Sequence, residues 1–271
     1  MKLAFIGGGN MALALILGLK KRKVSMSNIL VVEHDVSKWQ VLEQHGVNVS
    51  ADLSTVADCS TILLAIKPQQ LSALAKTLTP LLNAAERPLI ISIAAGIRLM
   101  DLSRWLGNYP MIVRAMPNTP AQIQAGVTGL YAMPSVSKKH ITLADQILKA
   151  VGNTIWLDSE EKLDAVTAIS GSGPAYVFYF IEALEAAALN LGLNEQQAKE
   201  LSIATFKGAS LLADVSATPI ETLRKQVTSK GGTTEQGVLS LENSQVKQAI
   251  MLAAQKACER ANTLGIELGK D

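Results

Sequence analysis

The stretch LAFIGGGNMALAL at residues 3–15 decides the fold of the N-terminal half. A short apolar run ends in three glycines, and a second apolar run follows that is long enough for a buried helix. Gly7, Gly9 and Ala12 form the pattern G-x-G-x-x-A, which is typical of a strand, turn and helix that bind dinucleotide phosphates. The first glycine permits the tight turn, the second admits a pyrophosphate, and the small third residue allows close packing. We expect the phosphates to face unpaired N–H groups at the helix N-terminus.

Further apolar runs continue this pattern along the chain. They lie at 28–33, 60–66, 88–94, 111–116, 127–132 and 153–158. Patterns typical of helices separate most of them, at 36–45, 69–82, 97–106 and 137–151. Apolar strands alternating with helices predict a parallel sheet covered on both faces, with ligands at the carboxyl ends of the strands.

The pattern changes after residue 158, where strand-like runs stop. Helices are predicted at 159–169, 174–191, 195–215, 232–242 and 245–268. Pro174 suits a first helical turn, Gly192 a helix C-terminus, and Asn194 with Gln197 a capping box. The fold class expected is therefore α/β: an N-terminal Rossmann-type, mostly parallel sheet at 1–158, followed by an all-α domain at 159–271.

Composition narrows the class of protein. The 271 residues are 48% apolar and 18% charged with a net charge of +2, which is a globular composition and indicates no nucleic-acid partner. Cys59 and Cys258 lack metal-ligand spacing, so we expect free thiols, no metal and a cytoplasmic location. The basic run at 20–23 follows the apolar stretch, the reverse of a secretory signal, and the apolar run 11–19 is too short to span a membrane.

Glu33 leaves the choice of dinucleotide open. It ends the second predicted strand, 21 residues after Ala12. An acidic side chain there accepts hydrogen bonds from the adenosine ribose, favours NAD and repels a 2′-phosphate. His34 and Lys38 follow, and either could attract that phosphate. The residues alone therefore allow both NADPH and NADH.

A second glycine loop, VTSKGGTTEQGV, lies at 227–238. Gly231 and Gly232 permit unusual backbone angles, and a helix is predicted to begin beside them. Unpaired N–H groups at such a helix start form an anion cradle, to which Ser229 and Thr234 add hydroxyl groups. The loop could hold a small carboxylate, and an ordinary helix cap with a glycine turn is the alternative.

This second loop carries a resemblance to a known family. TSKGGTT at 228–234, with Gly237-Val238 and Leu241-Glu242, resembles the signature of pyrroline-5-carboxylate reductases. Four other segments agree in the family's order: FIGGGNMALALI at 5–16, AIKPQQL at 65–71, VRAMPNTP at 113–120 and SGSGPAYVF at 170–178. The resemblance covers essentially the whole length, and its specificity lies in the five segments together.

The resemblance implies a Rossmann domain, a helical domain that interleaves with a partner subunit, and reduction of 1-pyrroline-5-carboxylate to L-proline, usually with NADPH. This reaction is the last step of proline synthesis. Glu33 departs from the family, because many NADPH-using relatives carry a neutral or basic side chain there. The residues that the resemblance implies in cofactor binding are Ile6, Gly7, Gly8, Gly9, Asn10, Met11, Ala65, Ile66, Lys67, Pro68, Ala94, Ala95 and Asn118. Glu33 and His34 join them because of their position at the end of the second predicted strand. Those implied in substrate binding are Val227, Ser229, Gly231, Gly232, Thr233 and Thr234.

Few catalytic side chains are expected for this chemistry. A cyclic imine that is protonated on nitrogen is already electrophilic, so the protein must mainly position it, and positioning can lower a barrier by roughly 7–11 kcal/mol. We expect Thr234 to hydrogen-bond the ring nitrogen, and Ser229 with the backbone of the loop to hold the carboxylate.

The helix predicted after Pro174 indicates an assembly. Residues 175–191 are apolar around much of the helix surface, which requires burial on several sides. A homodimer or higher homo-oligomer would supply it, and a self-contained bundle is the alternative.

Two other functions fit part of the sequence. A hydroxyacid dehydrogenase or a broader imine reductase could share the architecture, although hydroxyacid enzymes typically place a lysine early in the second domain, and after residue 170 the first is Lys199. A dinucleotide-sensing dimer without turnover is the non-enzymatic alternative, and the loop at 228–234 argues against it.

Overall fold

The computed structural model describes residues 2–82 and 87–270. Within them one eight-stranded sheet has the order β3-β2-β1-β4-β5-β6-β7-β8. The strands are parallel from β3 to β6, β7 is antiparallel to β6, and β8 is parallel to β7. Their bounds are β1 Leu3–Ile6, β2 Ile29–Val32, β3 Asn48–Ser50, β4 Thr61–Leu64, β5 Leu89–Ser92, β6 Ile112–Met116, β7 Gly126–Ala132 and β8 Gly152–Trp156.

Helices cover both faces of this sheet, as its apolar strands predict. Alternate side chains of β1 enter two separate cores: Leu3 and Phe5 join one, and Ala4 and Ile6 join the other. All four are almost completely buried. The helices in this part of the chain are α1 Asn10–Lys21, α2 Trp39–Glu43, α3 Leu71–Leu78, α4 Leu99–Trp105 and α5 Lys138–Leu148.

The predicted mostly parallel sheet is confirmed, with two differences. The short strand β3 was not predicted, because three half-exposed residues give no apolar run. The antiparallel direction of β7 was not predicted either. Its residues pair with β6 in the register Ala115 opposite Leu130, and an apolar run does not reveal the direction of its strand.

The C-terminal region is all-helical, as expected. Its helices are α6 Lys162–Val166, α7 Gly173–Asn190, α8 Glu195–Val215, α9 Ile220–Gln226, α10 Thr233–Asn243 and α11 Val246–Leu268. Pro174 lies in the first turn of α7, Gly192 has φ +92° after its end, and both hydrogen bonds of the Asn194–Gln197 capping box are present. A π-helical turn at Thr167–Gly171 precedes α7, and the short α9 was not predicted.

Contacts divide the described chain into two compact units. One comprises residues 2–172 and 256–270, and the other is Gly173–Gln255. The sheet belongs to the first unit, and α7 to α10 belong to the second. The domain boundary at 158/159 stays a prediction, and its outer limits, residues 1 and 271, lie outside the described residues. In the described ranges, no helix has the length and apolar character needed to span a membrane.

Candidate functional site

Four of the predicted site segments meet at one edge of the sheet. The parallel strands β1, β4, β5 and β6 are neighbours, so the loops after their carboxyl ends are neighbours as well. The segments in question are the loop at 7–9, Ala65–Pro68, Ala94–Ala95 and Asn118.

Gly7 makes the turn between β1 and α1. Its φ is +96°, which disfavours any residue with a side chain. A Cβ atom at this position would lie 2.6 Å from the carbonyl oxygen of Ala65 in the neighbouring loop. The N–H of Gly7 donates to the carbonyl of Val32 at 2.9 Å. Only glycine fits, and the turn is fixed between the strands on its two sides.

Gly9 and the start of α1 form an open anion cradle. Gly9 caps the helix without any side-chain hydrogen bond, so the first N–H groups of α1 have no intrahelical acceptor. A Cβ added at Gly9 would meet no atom within 4 Å, so the backbone is open to a ligand. Ala12 is fully buried where the helix packs on the sheet. This geometry fits a pyrophosphate at a helix N-terminus.

A cavity of about 750 Å³ adjoins this cradle, all within the first unit. Eight predicted cofactor residues line it: Ile6, Gly7, Gly9, Glu33, His34, Ala65, Ile66 and Lys67. The other predicted cofactor residues belong to the described part of the chain but do not line the cavity. They are Gly8, Asn10, Met11, Pro68, Ala94, Ala95 and Asn118.

Sequence reasoning missed one wall of this cavity. Gln70, Ala73, Leu74 and Thr77 line it from α3 and the turn before that helix. Their spacing of i, i+3, i+4 and i+7 places them on one helical face, so the spacing was a usable signal. Asp35, which also lines the cavity, directly follows the predicted pair Glu33 and His34.

The carboxylate of Glu33 is held from several directions. Its Oε2 accepts a hydrogen bond from the N–H of Gly8 at 2.9 Å, and its Oε1 accepts from the N–H of Asp35 at 2.9 Å. Lys38 Nζ lies 3.2 Å from Oε2. Burial would raise the pKa of Glu33, but these two N–H groups and the Lys38 ammonium outweigh it and lower the pKa. Glu33 is therefore a fixed, ionised group at the edge of the glycine loop.

Asn118 hydrogen-bonds the start of β7 and the turn before α7, and it is not among the residues that line the cavity. Its side-chain oxygen accepts from the N–H of Val127 at 2.9 Å, and its side-chain nitrogen donates to the carbonyl of Ser170 at 3.1 Å. The second bond reaches the π-helical turn, a feature that recurs at functional sites. The geometry gives Asn118 a role in holding these two segments together.

An ion pair that the sequence did not predict lies beside the loop after β6. Arg114 is 5% exposed, and its Nη1 lies 2.8 Å from Glu160 Oε1 while Nη2 lies 3.8 Å from Asp164 Oδ1. Glu160 also accepts from the N–H of Leu99 at the start of α4. A charged residue inside an apolar strand was the available signal, because buried arginines require partners.

The second unit contains the other predicted loop, between α9 and α10. Gly231 has φ +76°, which favours glycine at that position. The N–H of Gly232 donates to the carbonyl of Ser229 at 3.0 Å, and a Cβ at Gly232 would lie 2.7 Å from Ser229 Oγ. Arg224 of α9 pairs with Glu242 of α10 at 3.2 Å, so the two helices that flank the loop are linked.

This loop presents free polar groups to solvent. Ser229, Thr233 and Thr234 are exposed, and among the described residues their hydroxyls have no hydrogen-bond partner. Gly232 caps α10 without a side-chain bond. One carboxylate already approaches the loop, because Glu235 Oε2 accepts from the N–H of Gly231 at 2.8 Å. Helix N–H groups and hydroxyls together can bind a carboxylate and one further polar atom.

Two family models match the chain. One, described as pyrroline-5-carboxylate reductase dimerisation, matches residues 160–264. The other, described as NADP oxidoreductase, coenzyme F420-dependent, matches residues 2–96. Between them they cover the glycine loop and its cavity, and the loop between α9 and α10.

Full-length relatives and solved structures agree with these matches. A pyrroline-5-carboxylate reductase of Pseudomonas aeruginosa is 40% identical over 97% of this chain and 98% of its own length. The structure of the Coxiella burnetii enzyme of that name has a TM-score of 0.92 at 37% identity, covering 97% of this chain and 98% of its own. The Plasmodium falciparum pyrroline carboxylate reductase, solved with NADP bound, has a TM-score of 0.85 at 29% identity and covers 98% of each chain.

Proposed function

This chain belongs to the pyrroline-5-carboxylate reductase family and reduces 1-pyrroline-5-carboxylate to L-proline with NAD(P)H, and we propose which of its residues carry that reaction. The assignment of residues rests on one observation: each unit contains a helix whose N-cap is a glycine. The one at Gly9 is assigned to the cofactor, and the one at Gly232 to the substrate.

The cofactor assignment rests on fit. Gly7 cannot carry a side chain, Gly9 is open, and the uncapped start of α1 adjoins the large cavity. We assign the cofactor phosphates to the backbone at 6–11, the adenosine end to Glu33 and His34, and the nicotinamide side to Ala65–Pro68 with Ala94 and Ala95. The bound nicotinamide supplies a hydride, and the residues of this chain bind and orient it. Asn118 acts by holding its loop, as its two hydrogen bonds indicate.

The substrate assignment rests on the loop at 227–234. The carboxylate of the substrate is assigned to the N–H groups at the start of α10 and to the hydroxyl of Ser229. The backbone at Gly231 and Gly232 allows this close approach, and Val227 and Thr233 complete the loop. Since the N–H of Gly231 is held by Glu235, the N–H groups of the first turn of α10 are the ones available to the substrate.

Thr234 is assigned to the ring nitrogen. In the protonated imine the nitrogen carries a proton, and this N–H can donate a hydrogen bond to the hydroxyl oxygen of Thr234. Hydride addition to the adjacent imine carbon then gives the neutral secondary amine of proline, and the nitrogen keeps its proton throughout. No strong acid is required, so positioning is the main contribution of the protein.

The match to a dimerisation model indicates a homo-oligomer. We assign the contact to α7 and α8, where large apolar side chains are exposed in the single chain. These are Val177, Phe178, Tyr179, Leu184, Leu201, Leu211 and Leu212. A homodimer is the simplest assembly that would bury them. The cytoplasmic location stays a prediction, supported by the free thiols of Cys59 and Cys258.

Steady-state kinetics test this function. Purified protein is assayed for oxidation of NADPH and of NADH with 1-pyrroline-5-carboxylate, with 2-keto acids and with other cyclic imines. We expect turnover of 1-pyrroline-5-carboxylate that exceeds the others by more than about a hundredfold in kcat/KM. Preference for a keto acid would support a hydroxyacid dehydrogenase instead. Binding of cofactor without turnover of any imine would support a sensor.

A further inference from the structure

Two carboxylates and one ammonium lie together at the adenosine end of the cofactor cavity. Glu33, Asp35 and Lys38 all line it, following β2. Lys38 Nζ lies 3.2 Å from Glu33 and 3.6 Å from Asp35, so its ammonium is shared between two carboxylates. The three groups together carry a charge of −1. A ribose 2′-phosphate would therefore approach a negative cluster whose only ammonium is already paired.

The position of Glu33 is fixed by contacts beyond that pair. The N–H groups of Gly8 and Asp35 hold its two carboxylate oxygens, and Trp39 Nε1 donates to its backbone carbonyl at 2.9 Å. The side chain is only 11% exposed. Turning it away from the cavity would break both carboxylate bonds and leave the N–H of Gly8 unpaired. Moving Glu33 to relieve the repulsion of a 2′-phosphate would therefore cost the free energy of these hydrogen bonds.

Other cations do not compensate in this cavity. Among the described residues that line it, the basic side chains are His34, Lys38 and Lys67, and there is no arginine. Lys67 follows β4, on the other side of β1 from β2. A 2′-phosphate is usually recognised by an arginine near the end of β2. The chain thus has the acceptor for ribose hydroxyls and lacks the usual partner of the phosphate.

We propose that Glu33 sets the dinucleotide selectivity of this chain towards NADH by accepting the adenosine ribose hydroxyls and repelling a 2′-phosphate. The proposal rests on the proposed function only in assigning this cavity to the cofactor. The enzyme uses NADH at least as efficiently as NADPH, and Glu33 is the residue that discriminates between them.

The test compares two probes that lack the nicotinamide, ADP-ribose and 2′-phospho-ADP-ribose, by titration calorimetry. The wild-type protein is expected to bind ADP-ribose at least as tightly as the phosphorylated probe. In Glu33→Gln the ratio of the two Kd values should move by about tenfold or more towards the phosphorylated probe. Glu33→Asn is measured in parallel in case glutamine disturbs the loop, and thermal unfolding confirms that each variant is folded.

Asp35→Asn is the matched control. It removes the same charge from the same cluster, but Asp35 bonds Ser37 and not the glycine loop. Its selectivity should move less than about threefold, because solvent screens its exposed carboxylate. An equal shift in both variants would overturn the proposal, since general charge and not Glu33 would then decide. A wild-type preference of tenfold or more for the phosphorylated probe would also overturn it.

The same variants are then assayed for 1-pyrroline-5-carboxylate reduction with each cofactor. The ratio of kcat/KM for NADPH to that for NADH should rise in Glu33→Gln by the factor seen in binding. If no variant turns over the imine while the probe ratio still shifts, the selectivity proposal stands and the proposed function fails. If turnover is normal and the probe ratio does not shift, the proposed function stands and the selectivity proposal fails.

Discussion

Arg114 Nη1 lies 2.8 Å from Glu160 Oε1, and both side chains are largely removed from water. The pair joins β6 to the segment before α6. Asp164 lies 3.8 Å from the same guanidinium and within hydrogen-bond distance of Asn262 in α11. Arg114 therefore links β6 to α6, and Asp164 extends this link to α11, next to the loop that carries Asn118.

Replacing Arg114 should destabilise the first unit strongly. In Arg114→Met the carboxylates of Glu160 and Asp164 stay buried without their cation, and we expect a loss of about 3–5 kcal/mol in the free energy of unfolding. Denaturant unfolding measures it. Lys162→Met is the control, since its partner Asp158 is exposed and the pair should contribute less than about 1 kcal/mol. Equal effects of the two changes would contradict a buried role for Arg114.

The two glycines of the first loop should respond differently to alanine. Gly9→Ala places a methyl group in open space, so it should cost about 1 kcal/mol of stability or less, while NADPH and NADH affinity falls about tenfold or more. Gly7→Ala meets the carbonyl of Ala65 at positive φ and should lose stability as well as affinity. Titration calorimetry measures the cofactor affinity of each variant, and thermal unfolding measures its stability. Normal cofactor affinity in Gly9→Ala would show that the phosphates bind elsewhere.

Asp145 should make stability depend on pH. Burial would raise the pKa of Asp145, but hydrogen bonds from Lys149, Thr154 and Trp156 outweigh burial and lower it. A lowered pKa in the folded state gives stability that is present above the unfolded pKa and is lost as the pH falls through the folded one. Asp145→Asn should be about 1–3 kcal/mol less stable at neutral pH. The difference should shrink below about pH 4. A difference that stayed constant from pH 7 to pH 3 would contradict this.

The exposed face of α7 should hold the oligomer together. Phe178 is 65% exposed in the single chain, and Phe178→Glu would bury a charge in the subunit contact. Sedimentation velocity should show a smaller species than wild type at micromolar concentration. Lys76→Glu on α3 reverses a charge at an exposed position outside the assigned contact, and the assembly should persist. An unchanged mass in Phe178→Glu would place the contact elsewhere.

Much of the fold followed from local patterns. The strand, glycine loop and helix at 3–21 were predicted because tight turns and helix starts restrict which residues fit. The direction of β7 and the pairing of Arg114 with Glu160 could not be predicted, because they depend on contacts between distant segments. The short α9, seven residues long, shows too few turns to give a periodic signal.

In the candidate site, too, local features were predicted from the sequence and contacts between distant segments were not. The residues of both glycine loops were predicted from their backbone requirements and from the family resemblance. The hydrogen bond from Gly8 to Glu33 was not, although Glu33 itself was singled out. The cofactor contact expected of Asn118 stays a prediction, and its two hydrogen bonds add a structural role that sequence spacing cannot reveal.

The kinetics of Thr234→Ala test the central assignment most directly. Stopped-flow and steady-state assays would give kcat/KM for 1-pyrroline-5-carboxylate, and titration would give the Kd of NADPH, with Ser240→Ala on the same helix as the control. If Thr234 holds the ring nitrogen, kcat/KM should fall about a hundredfold while the Kd of NADPH and the control stay at wild-type values. Wild-type kcat/KM in Thr234→Ala, or an equal loss of NADPH affinity, would contradict the separation of substrate and cofactor between the two loops.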